Sequence, residues 1–272
     1  MTSPRFSVII PTLNEEKFLP HLLDSLVDQS VKEFEVIVVD GSSKDRTVAI
    51  AQGYKRKLTL SVVVSKQANL PFQRNLGAQK ANASWLVFVD ADSVLLPYFI
   101  ERIDRFIADQ NPQVFTTWFR PDSEVTNDAL FTLMSVMTIE GSLLFKRPNV
   151  TPGPLTVIEK ATFESVGGYD EDHAFHEDLD LGLRLYQRKA RYAFLRETLY
   201  IWSLRRFRNE GTMKVIQQHA RSVLSIIFFR RPMKSKSGYI MGGHLYGKSK
   251  KPKSVLAQYE RKFKKMMKEL FE

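Results

Sequence analysis

Val87-Phe88-Val89-Asp90-Ala91-Asp92 is an apolar run that ends in two carboxylates one residue apart. Such a run reads as a buried parallel strand. Asp90 then falls at the strand's carboxyl end, where open α/β sheets bind their ligands. Paired hard oxygens there suit a divalent cation that carries a phosphorylated ligand. A turn or helix-cap carboxylate gives the same local pattern. What adds weight is a second strand with the same ending, Glu35-Val36-Ile37-Val38-Val39-Asp40.

Working outward, the same grammar repeats. Phe6-Ser7-Val8-Ile9-Ile10 opens the chain as a strand. Pro11-Thr12-Leu13-Asn14-Glu15-Glu16 then turns into a helix over Lys17–Gln29, with Leu19, Leu22, Leu23 and Leu26 on one face. Gly41-Ser42-Ser43-Lys44-Asp45-Arg46-Thr47 leads from the second strand into another helix. A third strand over Leu58–Val64 leads through Asn69-Leu70-Pro71 to a helix over Phe72–Ala81. This βαβαβαβ order predicts a doubly wound, mostly parallel sheet with helices on both faces. The strand tips would converge on one crevice, bringing Thr12, Glu15, Asp40, Asp90 and Asp92 near each other.

These residues also carry a family resemblance. Ser7-Val8-Ile9-Ile10-Pro11-Thr12-Leu13-Asn14-Glu15-Glu16, Val38–Thr47, Arg74-Asn75-Leu76-Gly77-Ala78 and Phe88–Asp92 resemble the donor half of family 2 glycosyltransferases with the GT-A fold. Val166-Gly167-Gly168-Tyr169-Asp170-Glu171 and His176-Glu177-Asp178-Leu179-Asp180-Leu181 resemble that family's acceptor-side motifs. The likeness spans roughly residues 6–208. It implies that Asp40 and Arg74 hold the nucleotide base, with Thr12 and Glu15 beside it. Asp90 would touch the ribose or the metal, and Asp92 would bind Mg²⁺ or Mn²⁺. Asp178 would be the catalytic base of an inverting transfer from a UDP- or GDP-linked sugar. The chemistry is coherent: charge builds on the leaving diphosphate, and a cation stabilises it. The attacking hydroxyl must lose a proton, and a carboxylate accepts it.

From the residues alone, Glu177-Asp178-Leu179-Asp180 reads equally as acidic residues complementing a helix N-terminus. His176 reads as a second metal ligand or as a local hydrogen-bonder. Ser203-Leu204-Arg205-Arg206-Phe207-Arg208 lies where related enzymes place basic residues against the diphosphate or acceptor; Arg205, Arg206 and Glu177 are candidate contacts there. The segment departs from the Gln-x-x-Arg-Trp pattern of processive synthases, so a single transfer is expected.

Composition bounds the rest. The chain's 272 residues are enough to bury a full core. With zero cysteines it has no disulfides or thiolate metal sites, which fits the cytosol. No signal peptide is recognised, and no segment is apolar enough to span a bilayer; Ala129–Phe145 is broken by Glu140 and Gly141. Of 40 basic and 30 acidic residues, 13 and 3 lie from Arg230 onward, leaving 27 of each sign before it. The expected organisation is a GT-A domain over residues 1–229, with a nucleotide-sugar half over about 1–110 and an acceptor half over about 111–229, then a basic tail over 230–272. Helical spacing is expected over Asn209–Arg231 and Ser254–Phe271, the latter with Leu256, Tyr259, Phe263, Met266, Met267 and Leu270 along one face. These C-terminal amphipathic helices fit an anionic membrane surface or a protein interface; the acceptor is then a saccharide, free or lipid-linked, met at the cytoplasmic face of a membrane. Two other classes compete. A sugar-1-phosphate nucleotidyltransferase would need a glycine- and arginine-rich first loop, and Pro11–Glu16 is not one. A nucleic-acid-binding protein would use the basic tail, but no nucleic-acid motif is present, so no nucleic-acid partner is expected.

Overall fold

The computed structural model describes residues 4–144, 154–172 and 177–210. Its first half follows the expected rhythm: β1 (Phe6–Thr12), α1 (Leu19–Val27), β2 (Phe34–Asp40), α2 (Thr47–Gly53), β3 (Leu60–Val64), α3 (Leu70–Lys80) and β4 (Trp85–Val89). The second half is β5 (Ser93–Leu95), α4 (Phe99–Gln110), β6 (Val114–Pro121), α5 (Thr126–Leu144), β7 (Leu155–Glu159), α6 (Lys160–Ser165), α7 (Glu177–Gln187), β8 (Tyr192–Trp202) and α8 (Arg205–Glu210).

One eight-stranded sheet runs β3-β2-β1-β4-β7-β6-β8-β5. The first four strands are parallel neighbours, with Thr12 opposite Asp40 at the tips of β1 and β2. β7 then enters antiparallel beside β4, and β6 pairs antiparallel to β7. The β1, β2 and β4 strands are buried along their whole length. Alternate side chains therefore feed two cores. Val8, Ile10, Val36, Val38, Val87 and Val89 join the four leucines of α1. Ile9, Ile37, Val39, Leu86 and Phe88 face α3, α6 and α7 on the other side. Helices thus cover both faces.

α3 begins at Leu70 rather than Phe72. The Asn69 side chain accepts the Phe72 N–H at 3.0 Å and caps it, and Pro71 sits in the first turn where its missing N–H costs nothing. β3 starts at Leu60, because Tyr54–Arg56 form a short 3₁₀ turn before it. Gly77 sets how closely α3 approaches the sheet: a Cβ there would lie 2.4 Å from Ile9 Cγ2. The part of the apolar stretch that is described, up to Leu144, lies in the helix α5, and no helix among the described residues is long and apolar enough to cross a membrane. The expected helices beyond Glu210, the basic tail and His176 lie outside the described residues.

Candidate active site

The loops after β1 and β2 are stitched together by their own polar side chains. Asp40 is fully buried at the tip of β2. It accepts the Thr12 hydroxyl at 3.0 Å, the Ser43 N–H at 2.8 Å and the Ser43 hydroxyl at 2.5 Å. Asn14 adopts a left-handed φ of 54°, which a short amide tolerates. Its Oδ1 accepts the Lys44 N–H at 2.8 Å, and its N–H reaches the Ser43 hydroxyl at 2.7 Å. The Glu15 N–H donates to Thr47 Oγ1 at 2.8 Å. This explains the small hydrogen-bonding residues in both turns. Gln73 on α3 closes the bottom by donating to the carbonyls of Thr12 (2.9 Å) and Val39 (2.7 Å).

The next residue, Arg74, is almost fully enclosed. Its guanidinium donates to Asp90 Oδ1 and to Glu177 Oε1, both at 2.9 Å, and lies over the Tyr169 ring at 5.2 Å. One arginine therefore joins the end of β4 to the start of α7. Asn75 completes the clamp. Its amide donates to the Tyr169 carbonyl (2.8 Å) and to Glu171 (2.9 Å), and its oxygen accepts the Tyr169 N–H (2.9 Å). Gly168, at φ 71°, makes the bend, and a Cβ there would strike Asn75 Oδ1 at 2.7 Å. Asp178 is half-buried beside Glu177, with one oxygen accepting the Leu179 N–H at 2.9 Å. Burial, followed by the Asp178 charge, pushes the Glu177 carboxyl up to about 7 against the pull of Arg74. Burial also raises Asp90; Arg74 opposes this and the Asp178 charge adds to it. Asp90, Glu177 and Asp178 thus feel one another as a single cluster.

A second cluster lies beside it. Arg205, the first residue of α8, donates to both oxygens of Glu15 (2.8 and 3.0 Å) and pairs with Asp92 Oδ2 at 2.9 Å. Its guanidinium stands 4.0 Å from the centre of the Phe18 ring. Its Nη1 is buried with no hydrogen-bond partner. Burial pushes Asp92 up to about 7 against the Arg205 charge, with Asp90 and Glu15 adding to the rise. Burial likewise raises Glu15. Arg206 follows, half-buried, on the same helix.

α8 is held in place by Asp122. That carboxylate accepts the Ser203 hydroxyl (2.8 Å), the Leu204 N–H (3.0 Å) and Arg208 (2.8 and 2.7 Å). Sequence reading missed Asp122, Phe18, Gln73 and the clamping role of Asn75. Asp122 carried a weaker form of the same signal, since it directly follows β6, whose run is interrupted by Thr116, Thr117 and Arg120.

The expected site residues therefore fall in three adjoining groups: Thr12 with Asp40; Arg74 with Asp90, Glu177 and Asp178; and Arg205 with Glu15 and Asp92. Asp40 and Arg74 are both engaged by protein partners. Asp92 and Asp90 supply hard oxygens at a strand end, which fits Mg²⁺ or Mn²⁺: such ions commonly take one or two carboxylates and complete their shell with water and substrate phosphates. Among the described residues no group of three or more His, Asp or Glu forms an all-protein cage.

Residues 7–178 match the family model described as glycosyl transferase family 2. The chain belongs to glycosyltransferase family 2. An uncharacterized glycosyltransferase of Haemophilus influenzae is 30% identical over 187 residues, which is 66% of this chain and 62% of that protein. Two solved structures share the fold. Staphylococcus aureus TarS residues 1–349 with UDP-GlcNAc aligns at a TM-score of 0.61 and 24% identity, over 73% of this chain and 58% of that one. The Pyrobaculum calidifontis mannosyltransferase PcManGT with GDP-Man and Mn²⁺ aligns at 0.63 and 19%, over 82% and 65%. This chain thus spans about three-fifths of the first of each, and its sheet with flanking helices is the GT-A arrangement. Family membership leaves the nucleotidyltransferase and nucleic-acid-binding readings without support.

Proposed function

We propose that this family 2 glycosyltransferase moves a single sugar from a nucleotide-sugar to an acceptor hydroxyl with inversion. The observation that carries the proposal is the convergence of the strand-end carboxylate Asp90 with the acidic start of α7, through Arg74 and Glu177, beside Asp92, which Arg205 holds. Thr12, Glu15, Asp40 and Arg74 form the nucleotide end. Asp40 and Arg74, already engaged, act there by fixing the shape of the joined loops as well as by contact. Asp90 and Asp92 would hold Mg²⁺ or Mn²⁺, whose chemistry is to neutralise charge on the leaving diphosphate. The acceptor oxygen attacks the anomeric carbon, the carbon–oxygen bond to the diphosphate breaks, and the hydroxyl proton passes to Asp178. Arg205, whose buried Nη1 has no partner, would donate to a phosphate oxygen. Similar solved proteins hold UDP-GlcNAc and GDP-Man, so either nucleotide is a candidate donor.

Thermal melts with UDP and GDP, each with and without Mn²⁺, test this. One nucleotide should stabilise the protein only with the cation. Asp92→Ala should abolish the cation-dependent part and keep the fold. Unchanged cation-dependent affinity in that variant would remove Asp92 from the assignment.

A further inference from the structure

Arg205 stands on a carboxylate assigned to the cation. Its Nε lies 2.9 Å from Asp92 Oδ2, and its Nη2 spans both oxygens of Glu15 at 2.8 and 3.0 Å. All three side chains are enclosed: Arg205, Glu15 and Asp92 are exposed by 9, 10 and 13%. Arg205 is thus the counter-charge of a pocket that holds two carboxylates. Yet it is incompletely used, because its buried Nη1 has no partner among the described residues. A buried donor left unpaired costs free energy and calls for an explanation. Arg208, one turn further on, makes the contrast. It spends both Nη groups on Asp122 and Asp128, as an arginine kept for structure does.

Arginine and a divalent cation compete for such a carboxylate. Magnesium-sized ions take oxygen ligands at about 2.0–2.1 Å, so an ion on Asp92 would share that group with the arginine nitrogen. Like charges this close repel strongly where water screens them little. Glu15 and Asp92 bring two negative charges, and Arg205 already balances one of them. A nucleoside diphosphate changes the balance. Its oxygens add negative charge and offer acceptors that suit the guanidinium fork.

We propose that Arg205 is an internal competitor of the divalent cation at Asp92, and that the diphosphate of the nucleotide releases the competition by drawing the guanidinium onto its own oxygens. The inference rests on the reading of Asp92 as a cation ligand. Its consequence is linkage: nucleotide and cation each bind weakly alone and tighten one another. Arg205 then determines that the cation is taken up with the nucleotide rather than ahead of it. The competitor is also set from a distance. Arg205 opens α8, which is anchored at its other contacts: Asp122 accepts the Leu204 N–H at 3.0 Å and Arg208, and Phe207 packs on Phe131 at 4.2 Å and on Trp202 at 5.6 Å. Weakening the Asp122 anchor therefore weakens the competitor and leaves Asp92, Glu15 and Arg205 in place chemically.

The test is a titration of the full chain with Mn²⁺, free ion being counted by paramagnetic resonance, alone and with saturating UDP or GDP. In the parent, nucleotide should tighten Mn²⁺ binding. Arg205→Met should bind Mn²⁺ alone about tenfold or more tighter than the parent, and nucleotide should add little further. Asp122→Asn should move Mn²⁺ affinity the same way by a smaller factor. Adding Asp92→Ala to Arg205→Met should erase the gain and so tie it to this carboxylate. Equal or weaker binding of Mn²⁺ alone by Arg205→Met would overturn the competition; if that variant melts early, the same result from Asp122→Asn does so. A gain for Mn²⁺ alone with the nucleotide effect undiminished would overturn release by the diphosphate. Mn²⁺ binding by neither parent nor variants, with or without nucleotide, would overturn the competition and the cation reading of Asp92 together.

Discussion

Arg74 and Arg205 do the same job in two different ways. Each bridges a buried glutamate and a half-buried strand-end aspartate, and each rests on an aromatic ring. Arg74 projects from the middle of α3, held close to the sheet by Gly77, and pairs with Asp90 just after β4 and with Glu177 at the start of α7. Arg205 stands at the start of α8 and reaches Glu15 across 190 residues of sequence. Its place depends on Asp122 anchoring α8. The first arginine is thus part of the core, and the second is brought to the site by docking of the last described helix. A site built this way has one wall set on the sheet and one assembled from a short helix that Asp122 anchors.

Stability separates the two most strongly. Removing one partner of a buried ion pair costs about 3–5 kcal/mol. Arg74→Met should cost that much in denaturant unfolding, because Asp90, Glu177 and Asp178 then face one another with no cation. Arg205→Met should cost less, about 1–3 kcal/mol, since Phe207 and Arg208 still hold α8. Mn²⁺ should restore more of the loss in Arg205→Met, where Asp92 is freed, than in Arg74→Met, where Asp90 is freed but Glu177 stays without its cation. Equal losses, both blind to Mn²⁺, would break the distinction.

Chemistry divides the acidic start of α7. Asp178→Asn keeps the shape and loses the proton acceptor, so transfer should fall by about 10² or more, roughly 2.7 kcal/mol of barrier. Nucleotide affinity should hardly change. Asp180→Asn should do the reverse of this in kind: Asp180 is engaged by Arg184 at 2.7 Å, which in turn donates to the Val166 and Gly168 carbonyls. Its loss should loosen the glycine bend and lower the melting temperature with little effect on single-turnover chemistry. A normal single-turnover rate in Asp178→Asn would move the base to another carboxylate.

The sequence carried the fixed wall far better than the assembled one. Apolar runs ending at Asp40 and Asp90 are local signals, and their period and punctuation survive in β1, β2 and β4 because those strands are buried on both faces. The pairing of Arg74 with Glu177 is not local, and neither is the entry of β7 antiparallel to β4. Both depend on which segments meet in space, and no spacing in the chain encodes that. Arg205 was legible as a basic candidate but not as the partner of Glu15 and Asp92. Asp122 repeated the strand-end pattern and went unread because β6 is broken in polarity by Thr116, Thr117 and Arg120.

The smallest effect is also the one that weighs Asp178 as a base against Asp178 as a helix-start carboxylate. Burial and then the Asp178 charge raise Glu177 from 4.5 to about 7. A carboxyl raised by folding favours the folded state fully below its unfolded value, and that contribution is lost as pH rises through the folded value. At this group, then, stability should decline from about pH 4.5 to about pH 7. Asp178→Asn removes one cause of the rise, so less should be lost. The variant should match the parent near pH 4.5 and exceed it at pH 8 by about 1 kcal/mol, the equivalent of less than one pKa unit. An inactive variant that is more stable than its parent is what a charge retained for chemistry predicts. If Asp178 serves only the helix N-terminus, losing its charge weakens the dipole interaction, and Asp178→Asn should be the less stable protein at pH 8. Denaturant midpoints for the two proteins across that pH range decide between these signs.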